Sequence, residues 1–325
     1  MNFKLEYLRN KIRTDITKQS GNVGWTSDEN LLSISFEFEF AKINDNKIVC
    51  GDIIYFDDLT LNTNVFTGIV TSISKGEYKD TVRCNDFAFY LNSSKTIIQF
   101  NEVPGTKALK SLFLKSKIEF NNIAEMNTII SMIYKDKYIS EIISDILNQV
   151  YLETGKKYLI EMEGNKINII EQSLIYIDEV CRLASNLPVF KIQNAIEKTA
   201  TVNVSIENLR NSVIVTSKDS NDMEIIESIK DEISIKNYGL LQEIIEVDSK
   251  DESQARNIAK TVLNDLNKIS EISSLTFIGN SNVKAGRLIK LNIENINLVG
   301  DFIVKSVNHK IASGAYTMML NVEGV

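Results

Sequence analysis

The chain has 325 residues, 43% hydrophobic and 24% charged, a soluble globular composition too long for one hydrophobic core, so two to four domains are expected. Its 36 basic residues against 43 acidic ones leave a net charge of −7, without the clustered cations that grip phosphate backbones, which excludes nucleic acid as the main partner. No apolar run approaches the roughly 18 residues that span a bilayer, and residues 1–9 interrupt their apolar positions with charge, so neither a membrane span nor a signal peptide is read.

In chain order, residues 32–40 alternate strictly. Phe36, Phe38 and Phe40 share one face while Ser35, Glu37 and Glu39 share the other, the pattern of a half-buried strand. Further strands are expected at 53–56, 66–74, 81–85 and 95–100, a count that suits a small β-barrel over residues 1–100. After Pro104-Gly105 the period changes. Thr106 can cap a short helix over 107–115, and 138–154 places Ile139, Ile142, Ile143, Ile146, Leu147 and Val150 on one helical face, stopped by Gly155. Strands over 157–163 and 166–171 flank the two-residue turn Gly164-Asn165, and 175–185 is expected to be a helix closed before Pro188. These elements form a mixed α/β middle domain, 101–192.

Residues 193–325 return to strands, at 201–205, 212–217, 274–278, 288–293, 302–308 and 316–322. They surround one helix within 246–270, opened by the capping-box spacing of Ser249 and Glu252 and striped by Ala255, Ile258, Ala259, Val262, Leu266 and Ile269. The fold class is therefore a β-dominated, multidomain α+β chain, with two similar small β-barrel domains flanking a mixed α/β middle domain. Only two prolines and 14 glycines occur, so linkers are short and the domains should abut. Cys50, Cys84 and Cys181 are odd in number and far apart, which fits neither a disulfide framework nor a zinc site and suggests synthesis in a reducing cytoplasm.

The barrels are expected to be similar because two segments echo each other. Gly51 opens an apolar strand and 65–75 returns as Val70-Thr71-Ser72-Ile73-Ser74-Lys75, passing Gly68; Gly286 opens another and 300–309 returns as Val304-Lys305-Ser306-Val307-Asn308-His309, beginning at Gly300. Chance similarity of two hairpins is the alternative.

No catalytic residue, cofactor site or metal site emerges. The single histidine, His309, lies where a strand should end and is read as a packed or capping residue. The pairs Glu37/Glu39 and Glu161/Glu163, tested as glycosidase carboxylates, sit at i, i+2 on strands and read as solvated faces. Phe36, Phe38 and Phe40 read as core before sugar platform. Trp25, in a glycine-containing stretch expected to be a loop, is either an exposed interface contact or a loop-packing residue.

Residues 84–94, 133–143, 153–158, 205–213, 236–242 (containing Gly239) and 283–320, in that order, resemble baseplate hub proteins of contractile phage tails, of the XkdQ/YqbQ type found in prophages and phage-tail-like bacteriocins; segments 121–128 and 193–204 depart from the pattern. The resemblance implies a structural hub: a homotrimer whose two barrels per chain present six near-equivalent surfaces, joining a sixfold tail tube protein to a threefold central spike protein. It also implies contacts with the tape-measure protein and a LysM-type baseplate protein, and a place in a virion or tailocin particle assembled in the host cytoplasm. The sequence ends at Val325 with no lysozyme-like domain, which favours a purely structural part. The alternative is a cell-wall-active tail protein, a peptidoglycan hydrolase or carbohydrate-binding module.

Overall fold

A computed structural model describes residues 2–43, 46–172, 176–182, 201–217, 225–247, 254–294 and 298–325. Seven strands come first: β1 (Phe3–Arg9), β2 (Ile12–Asp15), β3 (Ser20–Asp28), β4 (Ser35–Ala41), β5 (Ile53–Asp58), β6 (Thr63–Lys75) and β7 (Lys79–Asp86). As the alternation requires, β4 buries Phe36, Phe38 and Phe40 among Leu5, Ile54, Phe56 and Val82. Its other face sets Glu37 against Arg83 at 2.5 Å and Glu39 against Lys79 at 2.6 Å on β7.

The middle part comprises α1 (Phe89–Ser93), β8 (Lys95–Pro104), α2 (Gly105–Lys115), β9 (Glu119–Ile123), β10 (Ile129–Tyr138), α3 (Ile139–Thr154), β11 (Tyr158–Glu163) and β12 (Lys166–Glu171). The i, i+3, i+4 stripe of α3 is buried at Ile139, Ile142, Ile143, Ile146 and Val150, packed with Leu109, Leu112 and Phe113 of α2, and Gly155 ends the helix in the left-handed conformation. Two expectations need correction here. The 95–100 strand does not join the first β unit: β8 pairs with β10, and Ile98 and Phe100 lie in the middle core. Thr106 does not cap α2 but lies within it, its hydroxyl donating to the Ala124 carbonyl (3.0 Å) and accepting from the Met126 N–H (2.7 Å).

The remainder contains β13 (Tyr176–Arg182), β14 (Thr201–Ser205), β15 (Ser212–Ser217), β16 (Ile225–Lys230), α4 (Glu232–Tyr238), β17 (Gln242–Val247), α5 (Ala255–Leu266), β18 (Ser270–Ile278), β19 (Leu288–Ile293), β20 (Leu298–Ala312) and β21 (Ala315–Gly324). The helix expected over 175–185 is instead the strand β13, drawn into parallel pairing with β19; tertiary pairing overrides local period here. Ser249 and Glu252 lie outside the described residues; β17 occupies 246–247, and the described helix of this region is α5. The 212–217 strand does not join the second β unit. It is the centre of a separate three-stranded sheet, β16-β15-β17, covered by α5 through Val213, Val215, Ile258, Ala259 and Val262.

The large sheet runs β14-β18-β21-β20-β3-β4-β7-β6-β5-β1-β2, with β19 on β20 and β13 on β19. Two five-strand runs within it, β3-β4-β7-β6-β5 and β14-β18-β21-β20-β19, have the same antiparallel order. Their registers coincide. Ile53 opposes Ile69 as Leu288 opposes Ile303, Val70 opposes Cys84 as Val304 opposes Val322, and a register shift follows at once in both, before Ser72 and before Ser306.

Backbone hydrogen bonds repeat as well. Gly51 N–H donates to Val70 O (2.9 Å) and Val70 N–H to Asp52 O (2.9 Å); Gly286 N–H donates to Val304 O (2.7 Å) and Val304 N–H to Arg287 O (2.9 Å). Both glycines hold left-handed φ, +97° and +80°, at the same step into the strand, which a residue with Cβ resists. The echo between residues 49–75 and 284–309 is thus a structural duplication. The copies differ at their flank, where β1 lies antiparallel to β5 and β13 parallel to β19.

Candidate assembly interface

The two β units are joined edge to edge where β3 pairs with the second half of β20, from Asp28 opposite Ser306 to Val23 opposite Ile311. On the inner face of this seam the Trp25 indole lies over the His309 imidazole, centroids 4.5 Å apart and planes 12° from parallel. His309 Nε2 is 3.0 Å from the Val283 carbonyl, and Nδ1 is 2.9 Å from the Tyr316 hydroxyl. A carbonyl can only accept, so Nε2 carries the proton and Nδ1 accepts from tyrosine, the tautomer of a neutral imidazole. Burial, with His309 1% exposed, pushes its pKa from 6.5 to about 4. Tyr316, though on β21, inserts into the first unit's core beside Trp25 and Phe3. A Cβ at Gly279 would stand 2.1 Å from the Tyr316 ring, so only glycine lets that ring lie across the strand end.

Polar clips bound the seam. Ser281 Oγ donates to buried Asp58 (2.9 Å), Ala285 N–H to Ser27 Oγ (3.0 Å) and Glu29 N–H to the Lys305 carbonyl (2.9 Å), while the Lys305 ammonium pairs with Glu29 and, at 3.2 Å, with Glu323. The middle part is tied to the second unit by Arg287, which donates two bonds, 3.0 and 2.9 Å, to the Glu161 carboxylate. Nearby, burial lowers the pKa of Lys284 and raises that of Asp86 to about 6, although Asp86 accepts bonds from Ile34 N–H, Ala88 N–H and Ser33 Oγ.

The residues singled out from sequence fall as follows. Gly51 and Gly286 occupy equivalent points of the duplicated unit; Gly68 and Gly300 lie within β6 and β20, and Gly239 caps the C-terminus of α4. Trp25 is not in a loop and not an exposed contact. It lies in β3, 5% exposed, because the two glycines that precede it, Gly21 and Gly24, belong to the strand and oppose Glu39 and Glu37 on β4. His309 is a packed residue, as expected, but mid-strand, since β20 runs on to Ala312. Glu161 does not face solvent as expected; it is the partner of Arg287. Ser281 with Asp58 and Glu29 with Lys305 escaped sequence reading because their partners lie far along the chain, as do the Phe3 and Trp25 rings that Tyr316 packs against, and no local signal marks any of them. Among the described residues no group of three or more His, Cys, Asp or Glu is placed to hold a metal ion, and no helix is long and apolar enough to cross a membrane.

The model of one protein family, YQBQ-like, matches residues 23–323. No curated protein sequence matches the chain. Among solved structures, a tail protein from Neisseria meningitidis MC58 superposes with a TM-score of 0.72 at 11% identity, covering 100% of this chain and 97% of that one. The 43 kDa tail protein of prophage MuSo2 from Shewanella oneidensis gives 0.69 at 14%, covering 98% of each. An E. coli protein, c3393, described as a component of the type VI secretion system with structural similarity to the T4 bacteriophage tail proteins gp27 and gp5, gives 0.54 at 10%, covering 94% of this chain and 73% of that one. The chain shares their fold.

Proposed function

The chain belongs to the YQBQ-like family, and from that premise we propose that it is a structural hub of a contractile tail: a homotrimer whose two β units per chain form a ring of six near-equivalent units between a sixfold tail tube and a threefold spike. The observation that carries this reading is the duplication, in which pairing order, register and bulge recur. A chain containing the same unit twice lets three copies present sixfold contacts on one side and threefold contacts on the other, and a head-to-tail contact closes such a ring. The fold shared with tail proteins supports the same reading, as does a sole histidine held neutral in a packed seam, where it has no access to substrate. In this reading the three parts of the chain are two β units and the α/β body between them; the partners are tube and spike proteins, with tape-measure and LysM-type baseplate proteins beyond, and the location is the tail baseplate of a virion or tailocin. Light scattering on the purified chain tests it: three times the protomer mass at micromolar concentration is expected, and a strict monomer that binds neither tube nor spike protein would overturn it.

A further inference from the structure

β11 of the middle part presents an open edge to a cleft. It pairs with β12, and β12 pairs with β9 beyond it, so the other side of β11 has no partner strand among the described residues. The register says which backbone groups that side offers. The Gln172 N–H donates to the Lys157 carbonyl at 2.9 Å, and residues of an antiparallel strand alternate between facing the partner and facing away. Lys157, Leu159, Glu161 and Glu163 therefore face β12, while the N–H and C=O groups of Tyr158, Ile160 and Met162 point outward, about 6.6–6.8 Å apart.

The cleft lies where the middle part meets both β units. One groove, of about 500 Å³, runs between β11, α3 and the residues that follow β3; a second, of about 840 Å³, continues past Glu161 and Met162 toward β6. All of residues 157–162 line the first groove although their side chains alternate between two faces, so it is the edge of the strand that the groove meets. Ile34, Asp86, Glu161, Met162 and Lys284 belong to both grooves, which therefore join beside Lys284.

At that junction two donors are left over. Arg287 holds Glu161; Asp86 accepts from Ser33, Ile34 and Ala88; Glu163 accepts from Asn121 and Asn168 at 3.0 and 3.2 Å. The Lys284 ammonium makes no hydrogen bond or ion pair with a described residue, and Arg287 Nε is buried without an acceptor. Donors shut away in this state favour a ligand that brings acceptor oxygens. Leu31, 65% exposed, lines the first groove together with Leu147 and Ile303, which gives apolar groups of such a ligand something to cover.

We propose that the cleft receives an extended segment of another protein, which adds to β11 as a further strand and sets an acidic side chain against Lys284. Pairing with Tyr158, Ile160 and Met162 supplies affinity, and the acid with its apolar neighbours supplies selectivity. A purely apolar segment would leave Lys284 and Arg287 Nε unpaired, and a basic one would place like charges together, so the chemistry selects an acidic strand. This goes beyond the hub reading, since β11 belongs to neither β unit and the cleft is complete within one chain.

The test uses the full chain and a short synthetic peptide, acetylated and amidated, that alternates valine and serine around one central glutamate. Hydrogen exchange resolved to single amides reads the edge. In the free chain the Tyr158, Ile160 and Met162 amides should exchange fast and those of Leu159 and Glu161 slowly. Peptide at about ten times its dissociation constant should slow the first three about tenfold and leave the other two unchanged. Glutamine in place of the peptide glutamate, or Lys284→Met in the protein, should weaken binding about tenfold or more, the loss of one charge-assisted hydrogen bond. N-methylation of alternate peptide amides should abolish it; this arm and the glutamine arm use the unaltered protein, so they read the site even where Lys284→Met disturbs it. Edge amides already protected in the free chain would mean that the chain or a second copy fills the cleft, and would overturn the proposal. So would no binding at about 1 mM peptide, or binding indifferent to N-methylation or to the glutamine change. The hub reading, judged by mass in solution, stands in each of these cases.

Discussion

Trp25→Ala tests the seam within the chain most sharply, because the indole packs between residues of both β units: Phe36 and Phe56 from the first, His309 and Tyr316 from the second. A buried tryptophan removes about 150–250 Å² from water. At about 25 cal/mol per Å² this is about 4–6 kcal/mol, an upper bound because the unfolded chain is partly compact. Truncation of core aromatics to alanine costs about 3–5 kcal/mol, and we expect about 4 kcal/mol here. The assay is urea unfolding followed by far-ultraviolet circular dichroism, since the substitution removes the chain's only tryptophan. It is run with all variants in one oligomeric state, because association adds its own stabilisation. Val202 is its counterpart in the other unit, opposing Ser273 and through it Val322 as Trp25 opposes Phe36 and through it Cys84. Val202→Ala should cost under about 0.5 kcal/mol in the unassembled chain, as surface changes do. A Trp25→Ala loss below about 1 kcal/mol, or equal losses for the two variants, would refute the seam as described.

Three further outcomes are expected. The pKa of His309 falls in the folded state from 6.5 to about 4, so the unfolded chain binds that proton more readily. Its contribution is complete above about pH 6.5 and is lost as pH falls toward 4, whereas Asp86, raised from 3.8 to about 6, costs stability at neutral pH and is relieved as pH falls through 6. Urea midpoints between about pH 7 and 4.5 should therefore fall steeply in Asp86→Asn and hold or rise in His309→Gln, and identical profiles would remove both assignments. Gly51→Ala, into open space at φ +97°, should cost about 1–2 kcal/mol, and Gly286→Ala more, because its Cβ would also meet Leu159 at 2.4 Å; equal thermal-denaturation losses would contradict the packing at Gly286. In a cell-wall zymogram the purified chain should clear nothing, and a cleared band would revive the peptidoglycan-hydrolase alternative.

Much of the fold was legible where one periodicity dominates. The isoleucine stripe of α3 and the phenylalanine alternation of β4 each declare a buried face, and Gly164-Asn165 joins β11 to β12 as its turn chemistry requires. The duplication was also visible, because the bulge forces the same Val-x-Ser spacing in both copies. What failed depended on distant partners. β13 carries Ile177, Val180 and Cys181 at spacings that suit either a strand or a helix, and only β19 decides between them. β8 looks like any strand until α2 and α3 claim Ile98 and Phe100. Trp25 sits close to Gly21 and Gly24, which locally read as loop, yet those residues pair with β4. The seam itself joins positions more than 200 residues apart, such as Asp58 and Ser281, and local pattern carries no trace of them.

The central claim, that a duplicated unit lets three chains behave as six, is tested most directly by electron-microscopy class averages of the purified assembly viewed down its axis. The account predicts a ring with six similar lobes, a strong sixfold rotational component and a weaker threefold one. Isolated single-chain particles, or rings whose lobe count is not six, would contradict it.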